Sequence, residues 1–154
     1  MRIGVETLVE APPEVVYAAV ADIPAWPGYI ATIARIELLS SGPVAEGTRF
    51  RETRMMFGRP ATEEMTVADM APPHRLVLTA FNHGTAYRAE HLCEPHGEKT
   101  RLRLEFEGRP VSLAARVFAP IGLVFLRSVR RHLEADLADL KREAERRHRE
   151  GNAG

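Results

Sequence analysis

The chain has 154 residues, of which 45% are hydrophobic and 27% charged; this is typical of one globular domain and excludes an intrinsically disordered chain. Its 21 basic residues equal its 21 acidic residues, so the broad basic surface of a nucleic-acid-binding protein is not expected. The single cysteine, Cys93, excludes an internal disulfide framework and a multi-cysteine zinc site, and it is typical of a cytoplasmic protein.

The first predicted elements are a strand and two short helices. Residues 4–9 (GVETLV) alternate in polarity, which predicts a strand, and because no apolar leader precedes it we expect no secretory signal. Pro12-Pro13 opens a helix, since proline is preorganised for a first helical turn, and residues 15–20 give that helix an apolar side. A second short helix is predicted within residues 24–33, where the ring of Trp26 should cap one end of the core.

The middle of the chain predicts five or six further strands joined by short turns. Glycine, proline or asparagine residues that suit tight turns stand at the strand ends. The predicted strands span residues 36–39, 48–57, 62–70, 75–81, 85–94 and 101–107. Short strands at regular spacing indicate an antiparallel meander.

An apolar stretch at residues 111–126 separates the strands from the last third of the chain. It contains Arg116 and Pro120 and is shorter than the roughly 18–20 residues of a membrane-spanning helix. We therefore expect no transmembrane segment, and we interpret the stretch as a buried or amphipathic helix, with a helix on a membrane surface as the alternative. Pro120 and Gly122 should kink or divide this helical region.

The last third of the chain predicts a long amphipathic helix. One apolar stripe recurs at spacings of three and four residues: Leu126, Val129, Leu133, Leu137, Leu140 and Ala144. Charged residues, Asp136 among them, occupy the other positions, which we interpret as solvated faces. The stripe predicts a single domain over residues 1–148, followed by a frayed tail at 149–154.

Several segments together resemble a known family. They are VEAPPEVVY at residues 9–17 with Asp22, Trp26 and Tyr29 behind it, GTRF at 47–50, MAPPHRLV at 70–77, EPHGEKTR at 94–101 and LADLK at 137–141. In their order and spacing, over nearly the whole chain, they resemble the START-like, Bet v 1-type helix-grip (SRPBCC) superfamily. Within it they are most similar to the bacterial polyketide cyclase/dehydrase and lipid-transport group.

The resemblance implies an α+β helix-grip fold. A curved antiparallel sheet wraps around a long C-terminal helix, two short helices follow the first strand, and a deep cavity lies between sheet and helix. Members of the superfamily bind lipids, sterols or polyketides, and some are aromatases or cyclases while others only bind. Because one fold carries several functions and no catalytic motif is shared, the resemblance implies no catalytic residue at a given position.

Strand parity selects the side chains that should face such a cavity. The predicted apolar wall comprises Phe50, Met65, Leu78, Tyr87, Leu104 and Phe106, and the helical side would close it with Phe118, Ile121 and Phe125. The parity of strand 48–57 is the most ambiguous, because Met55 and Phe57 compete with the inward set.

The same parity places five polar side chains on the apolar face: Glu52, Arg54, Glu63, Tyr87 and His91. A charge buried without a partner costs several kcal/mol, so these groups must pair or lie beside water. Two interpretations stay open, a polar cluster that orients a ligand and a set of ion pairs at a wet rim. We expect Glu52 and Glu63 to hold Arg54 in the empty cavity.

Other motifs are weak. His91 and Cys93 stand two apart on one strand face, but no further ligand cluster follows, so we expect no metal. The segment GEKT at 97–100 lacks the first glycine of a phosphate loop, and no dinucleotide fingerprint or nucleophile elbow is present, so we expect no cofactor.

The sequence thus predicts a binding protein for a hydrophobic or amphipathic small molecule. The first alternative is a polyketide cyclase, aromatase or dehydratase, in which Arg54 polarises a carbonyl and Glu52, His91 or Tyr87 transfers protons. The second is a regulatory or interaction module in which the long helix contacts a partner. A monomer and a homodimer are both compatible with the sequence.

Overall fold

Seven antiparallel strands and three α-helices make up the structure in residues 1–122 and 126–153, the part of the chain that the computed structural model describes. The strands are β1 (Arg2–Val9), β2 (Ile33–Leu38), β3 (Arg49–Met56), β4 (Arg59–Ala71), β5 (Arg75–Asn82), β6 (Thr85–His96) and β7 (Lys99–Pro110). The helices are α1 (Pro13–Ala21), a 3₁₀ helix (Ile23–Gly28), α2 (Leu113–Gly122) and α3 (Leu126–Ala153).

The strands form one sheet in the order β1-β7-β6-β5-β4-β3-β2. From β2 to β7 every strand pairs with its neighbour in sequence, as short turns dictate. Strand β1 lies at one edge of the sheet and pairs with β7. The pairing of β4 with β5 shifts between Val67 and Asp69, a bulge of the kind that bends a sheet. The predicted α+β helix-grip fold is confirmed.

Helix α3 buries its apolar stripe in the core. Leu137 and Leu140 are 2% and 1% exposed, and Ala144 is fully buried. They belong to the same core cluster as Val5 of β1 and Leu104 of β7. The stripe predicted from spacing is therefore the side of α3 that faces the sheet.

Two features of α3 differ from the sequence-based expectation. Asp136, placed on a solvated face, is buried at 7% exposure. It follows Leu133 by three residues and precedes Leu140 by four, so it lies on the stripe itself. The helix also continues to Ala153, past the boundary expected at residue 148, and an ion pair of Arg146 with Glu150 spans that boundary.

The two short helices close one end of the core. Trp26 of the 3₁₀ helix is 3% exposed, and its Nε1 donates a hydrogen bond to the carbonyl oxygen of Val20 at 3.1 Å. Its ring meets the ring of Phe50 edge-on at a centroid distance of 6.3 Å. The expected burial of Trp26 therefore agrees with the structure.

Helix α2 is fixed at the other end by the turn between β5 and β6. The amides of Val111 and Ser112 both donate to the carbonyl oxygen of Gly84, at 2.8 and 3.1 Å. Gly84 has φ +74° and Ser112 lies directly against it, so a side chain at this position would be strained and would collide. Within the described ranges, no helix combines the length and the apolar character needed to cross a membrane.

Candidate ligand-binding site

A cavity of about 800 Å³ lies between the concave face of the sheet and α3. This volume is within the roughly 300–1,000 Å³ of small-molecule sites. The sheet supplies most of the wall, and Val129, Leu133 and Leu140 of α3 face it from the opposite side. Ala115 and Arg116 of α2 border the cavity at the end that the β5–β6 turn defines.

Nine of the side chains predicted to face the cavity line it: Glu52, Arg54, Glu63, Met65, Leu78, Tyr87, His91, Leu104 and Phe106. The inward parity of β3 is resolved, because Phe50 and Glu52 are buried whereas Arg51 and Met55 are exposed. The side chains of Ile121 and Phe125 lie outside the described residues.

Two predicted wall residues have other positions. Phe50 is fully buried and packs against Trp26, so it belongs to the core behind the wall. Phe118 is 61% exposed, because α2 turns Ala115 and Arg116 toward the cavity instead. The expectation that Phe118 closes the cavity is therefore not met by this structure.

The polar end of the cavity is organised by Arg54. Its Nε donates to Oε1 of Glu52 at 3.0 Å, and its Nη1 donates to Oδ2 and Oδ1 of Asp136 at 2.8 and 3.0 Å. Nη1 also lies 3.0 Å from Oγ1 of Thr32, which in turn donates to Asp136. We call these four residues, Thr32, Glu52, Arg54 and Asp136, the Arg54 cluster.

The cluster is buried enough to perturb its own ionisation. Burial raises the pKa of both Glu52 and Asp136, and the neighbouring guanidinium opposes the rise. Burial alone would lower the pKa of Arg54, but the two carboxylates outweigh it and raise that pKa, so Arg54 stays charged. An arginine held between two acids is thus the central charged group of the cavity.

His91 lines the cavity from β6. It is 7% exposed, its ring lies 6.3 Å from the ring of Trp26, and its Nδ1 is buried with no hydrogen-bond partner among the described residues. Burial, with a smaller contribution from Arg54, lowers the pKa of His91 to about 4. The imidazole is therefore neutral at pH 7 and has a ring nitrogen available for a hydrogen bond.

The remaining polar candidates have partners of their own. Oε1 of Glu63 accepts a hydrogen bond from Nδ2 of Asn82 at 3.1 Å, so the expectation that Glu63 helps to hold Arg54 is corrected: Asp136 does so. Tyr87 stacks on Phe106 with ring centroids 5.8 Å apart and an angle of 26° between the planes. Tyr87 is thus chiefly an aromatic wall residue.

Metal and thiol chemistry find little support at this site. Among the described residues, no group of three or more His, Cys, Asp or Glu side chains could hold a metal ion. Burial raises the pKa of Cys93 to about 12, so its thiol is protonated and a poor nucleophile at pH 7.

Solved structures share this fold. TTHA0849 from Thermus thermophilus has a TM-score of 0.74 and 18% identity, with 94% of this chain and 97% of that chain covered. The Zhui aromatase/cyclase from Streptomyces sp. R1128 has a TM-score of 0.72 and 19% identity, over 96% and 94%. The di-domain ARO/CYC StfQ from the steffimycin biosynthetic pathway has a TM-score of 0.77 and 15% identity, over 95% of this chain and 51% of that chain.

At these identities the likeness shows the fold alone. No curated protein matches the sequence significantly. The family described as polyketide cyclase/dehydrase and lipid transport matches residues 2–145, which is nearly the whole chain. The chain therefore belongs to the polyketide cyclase/dehydrase and lipid-transport family.

Proposed function

We propose that the protein binds a hydrophobic or amphipathic small molecule in the cavity, with the ligand's polar end at the Arg54 cluster and His91. The proposal rests on one observation: the cavity has apolar walls and, at one end, the hydrogen-bonded polar groups of the Arg54 cluster. Met65, Leu78, Leu104 and Phe106 would contact the apolar body of the ligand. Burying apolar surface against such walls contributes roughly 25 cal/mol per Å².

The polar end has hydrogen-bonding capacity left for a ligand. Nε and Nη1 of Arg54 are used within the cluster, whereas no residue in the described part of the chain accepts from Nη2. The unpartnered Nδ1 of His91 is a second such group. A buried polar group without a partner is costly, so a ligand oxygen that satisfies one gains specificity there.

The volume of the cavity favours a bound ligand over the alternative of an interaction module. An interaction module would need no interior space, so a volume of about 800 Å³ favours a ligand, although Leu113 and Val117 of α2 are exposed.

We place the binding in the cytoplasm, because the one cysteine is a free thiol and the chain has no second cysteine to pair with it.

The test is to block the cavity and to remove its anchor. Ala89 lines the cavity whereas Ala86 lies at a position of opposite parity on the same strand, so Ala89→Phe should abolish binding of pyrenemethanol and Ala86→Phe should not. Arg54→Met should weaken the binding of pyrenemethanol and leave the binding of pyrene nearly unchanged. Energy transfer from Trp26, the single tryptophan, to pyrene reports binding. Equal loss in both alanine variants, or no transfer in the wild type, contradicts the proposal.

A second candidate function is a cyclase or dehydratase, favoured by His91. A neutral imidazole near an arginine can take a proton from the carbon next to a ligand carbonyl while Arg54 donates to the oxygen as charge develops. The low pKa keeps His91 in its base form at pH 7 but also makes it a weak base, and for this reason binding is the leading proposal.

A naphthyl β-hydroxy ketone tests the catalytic candidate. Removal of its α-proton and loss of water give a conjugated enone that absorbs at longer wavelength. A catalyst should accelerate the appearance of the enone over buffer, and His91→Gln should lose that acceleration. A wild-type rate equal to the buffer rate would leave binding as the only function supported.

A further inference from the structure

The Arg54 cluster contains more negative than positive charge. The one guanidinium of Arg54 contacts two carboxylates, those of Glu52 and Asp136, at 3.0 and 2.8 Å. The side chains of all three residues are at most 20% exposed, so water screens these charges poorly. Even if one carboxyl holds a proton, the charge of Arg54 stays fully balanced.

Among the described residues, no cationic group other than Arg54 forms an ion pair with Glu52 or Asp136, so the excess of negative charge at the Arg54 cluster remains. Glu63 adds a third carboxyl group on the same sheet face, and His91 is neutral at pH 7. His132 lines the cavity from α3, and its Nδ1 lies 2.7 Å from the carbonyl oxygen of Ser128. Arg116 borders the cavity from α2 and is itself exposed, so solvent screens its charge. Met1 lines the cavity as well, and its N-terminal ammonium donates to the carbonyl oxygen of Gly108 on β7, four strands away from β3 in the sheet.

We infer that the ligand's polar end is uncharged or cationic, a hydroxyl, carbonyl or amine, and that the site discriminates against carboxylates and phosphates. This inference rests on the proposed function and names the class of its ligand. An anion placed at the cluster would meet two carboxylates whose cation is already shared between them. A hydroxyl can instead donate to a carboxylate lone pair and accept from Nη2 of Arg54 or a nitrogen of His91.

Three pyrene probes that differ only in the polar end test the inference. Pyrenemethanol is neutral, pyrenemethylamine is a cation and pyrenecarboxylate is an anion at pH 7. We expect the alcohol and the amine to bind at least about tenfold more tightly than the carboxylate, a difference of about 1.4 kcal/mol. Energy transfer from Trp26 gives each dissociation constant on the same protein.

Asp136→Asn removes one negative charge from the cluster. It should narrow the gap in affinity between pyrenemethanol and pyrenecarboxylate. Glu134→Gln makes the same charge change at an exposed position of α3 and should leave the gap as it is in the wild type. Glu52→Gln provides a second cluster variant if Asp136→Asn folds poorly, because it also removes one carboxylate that contacts Arg54.

The outcomes separate the inference from the proposed function. If the carboxylate binds as tightly as the alcohol, or more tightly, the inference is overturned while the binding proposal stands. If the cluster variants and Glu134→Gln change the gap equally, the discrimination comes from overall charge and the inference is likewise overturned. If no probe binds, the proposed function fails and the inference falls with it.

Discussion

Arg54→Met should destabilise the protein in a pH-dependent way. The substitution keeps most of the side chain's bulk but leaves the buried carboxyls of Glu52 and Asp136 without their cation. Breaking a buried ion pair by removing one partner typically costs about 3–5 kcal/mol. Because the cluster borders a cavity that can admit water, we expect the lower end, about 3 kcal/mol at pH 7.

The sign of the pH dependence follows from the two carboxyls. Without the guanidinium, the pKa values of Glu52 and Asp136 rise further above those of the unfolded chain, since burial and the neighbouring carboxylates raise them and the main opposing influence is gone. A raised folded-state pKa stabilises the fold below the unfolded pKa, and this contribution is lost as pH rises through the folded value. Protonating a carboxyl costs about 1.4 kcal/mol per pH unit above its ordinary pKa of about 4, so the expected loss at pH 5 is only about 1–2 kcal/mol.

Urea unfolding at pH 5 and pH 7 measures these free energies. Arg49→Met is the matched control, because Arg49 pairs with Glu64 on the outer surface at 56% exposure and such pairs contribute about 0–1 kcal/mol. The triple variant Glu52→Gln, Arg54→Met, Asp136→Asn removes all three charges and should recover most of the loss. An Arg54→Met penalty that is below about 1 kcal/mol at pH 7, or equal at both pH values, would refute the reasoning.

Four further predictions concern the core, the cavity histidine, the tryptophan and the tail. Leu137→Ala should cost about 2–5 kcal/mol and lower the melting temperature by many degrees, whereas Leu113→Ala, at an 80% exposed position, should change it little; equal effects would contradict the packing of α3. The imidazole resonances of His91 should not titrate between pH 8 and pH 5, because its pKa of about 4 lies below that range, and a midpoint near 6.5 would contradict its burial. Because the pKa of His91 is lower in the folded protein than in the unfolded chain, this residue stabilises the fold above its unfolded pKa of about 6.5. That contribution is lost as pH falls from there through the folded pKa of about 4. Fluorescence of Trp26 should be that of a buried indole, and a spectrum like free tryptophan would count against the cap it forms. Deleting residues 149–154 should leave a soluble, folded protein, and loss of soluble protein would show that this last turn is needed.

Much of the fold could be predicted from periodicity. The alternation of period two along the strands fixes which side chains face inward, and the structure resolves the ambiguous strand β3 in favour of Phe50 and Glu52. A stripe with spacings of three and four can pack in only one way against a concave sheet, so the burial of Leu137 and Leu140 follows from the pattern.

The hydrogen-bond and ion-pair partners of the polar side chains could not be predicted from these periodic patterns. Asp136 is on the buried side of α3, but a charged residue on a long charged helix is usually solvated. Its burial is explained by its contacts with Arg54 and Thr32, which lie 82 and 104 positions earlier in the chain. Glu63 lies directly across from Glu52 in the pairing of β3 with β4, yet it bonds to Asn82. Strand parity specifies a face, whereas rotamers and long-range contacts decide which groups meet on it.

A crystal structure of the protein with bound pyrenemethanol tests the central claim most directly. We expect pyrene density inside the cavity against Leu78, Leu104 and Phe106, with the hydroxyl oxygen within hydrogen-bonding distance, about 3.2 Å, of Arg54 or His91. Density on the outer face of α2 near Leu113 and Val117, or a ring in the cavity with its hydroxyl turned away from the Arg54 cluster, would contradict it.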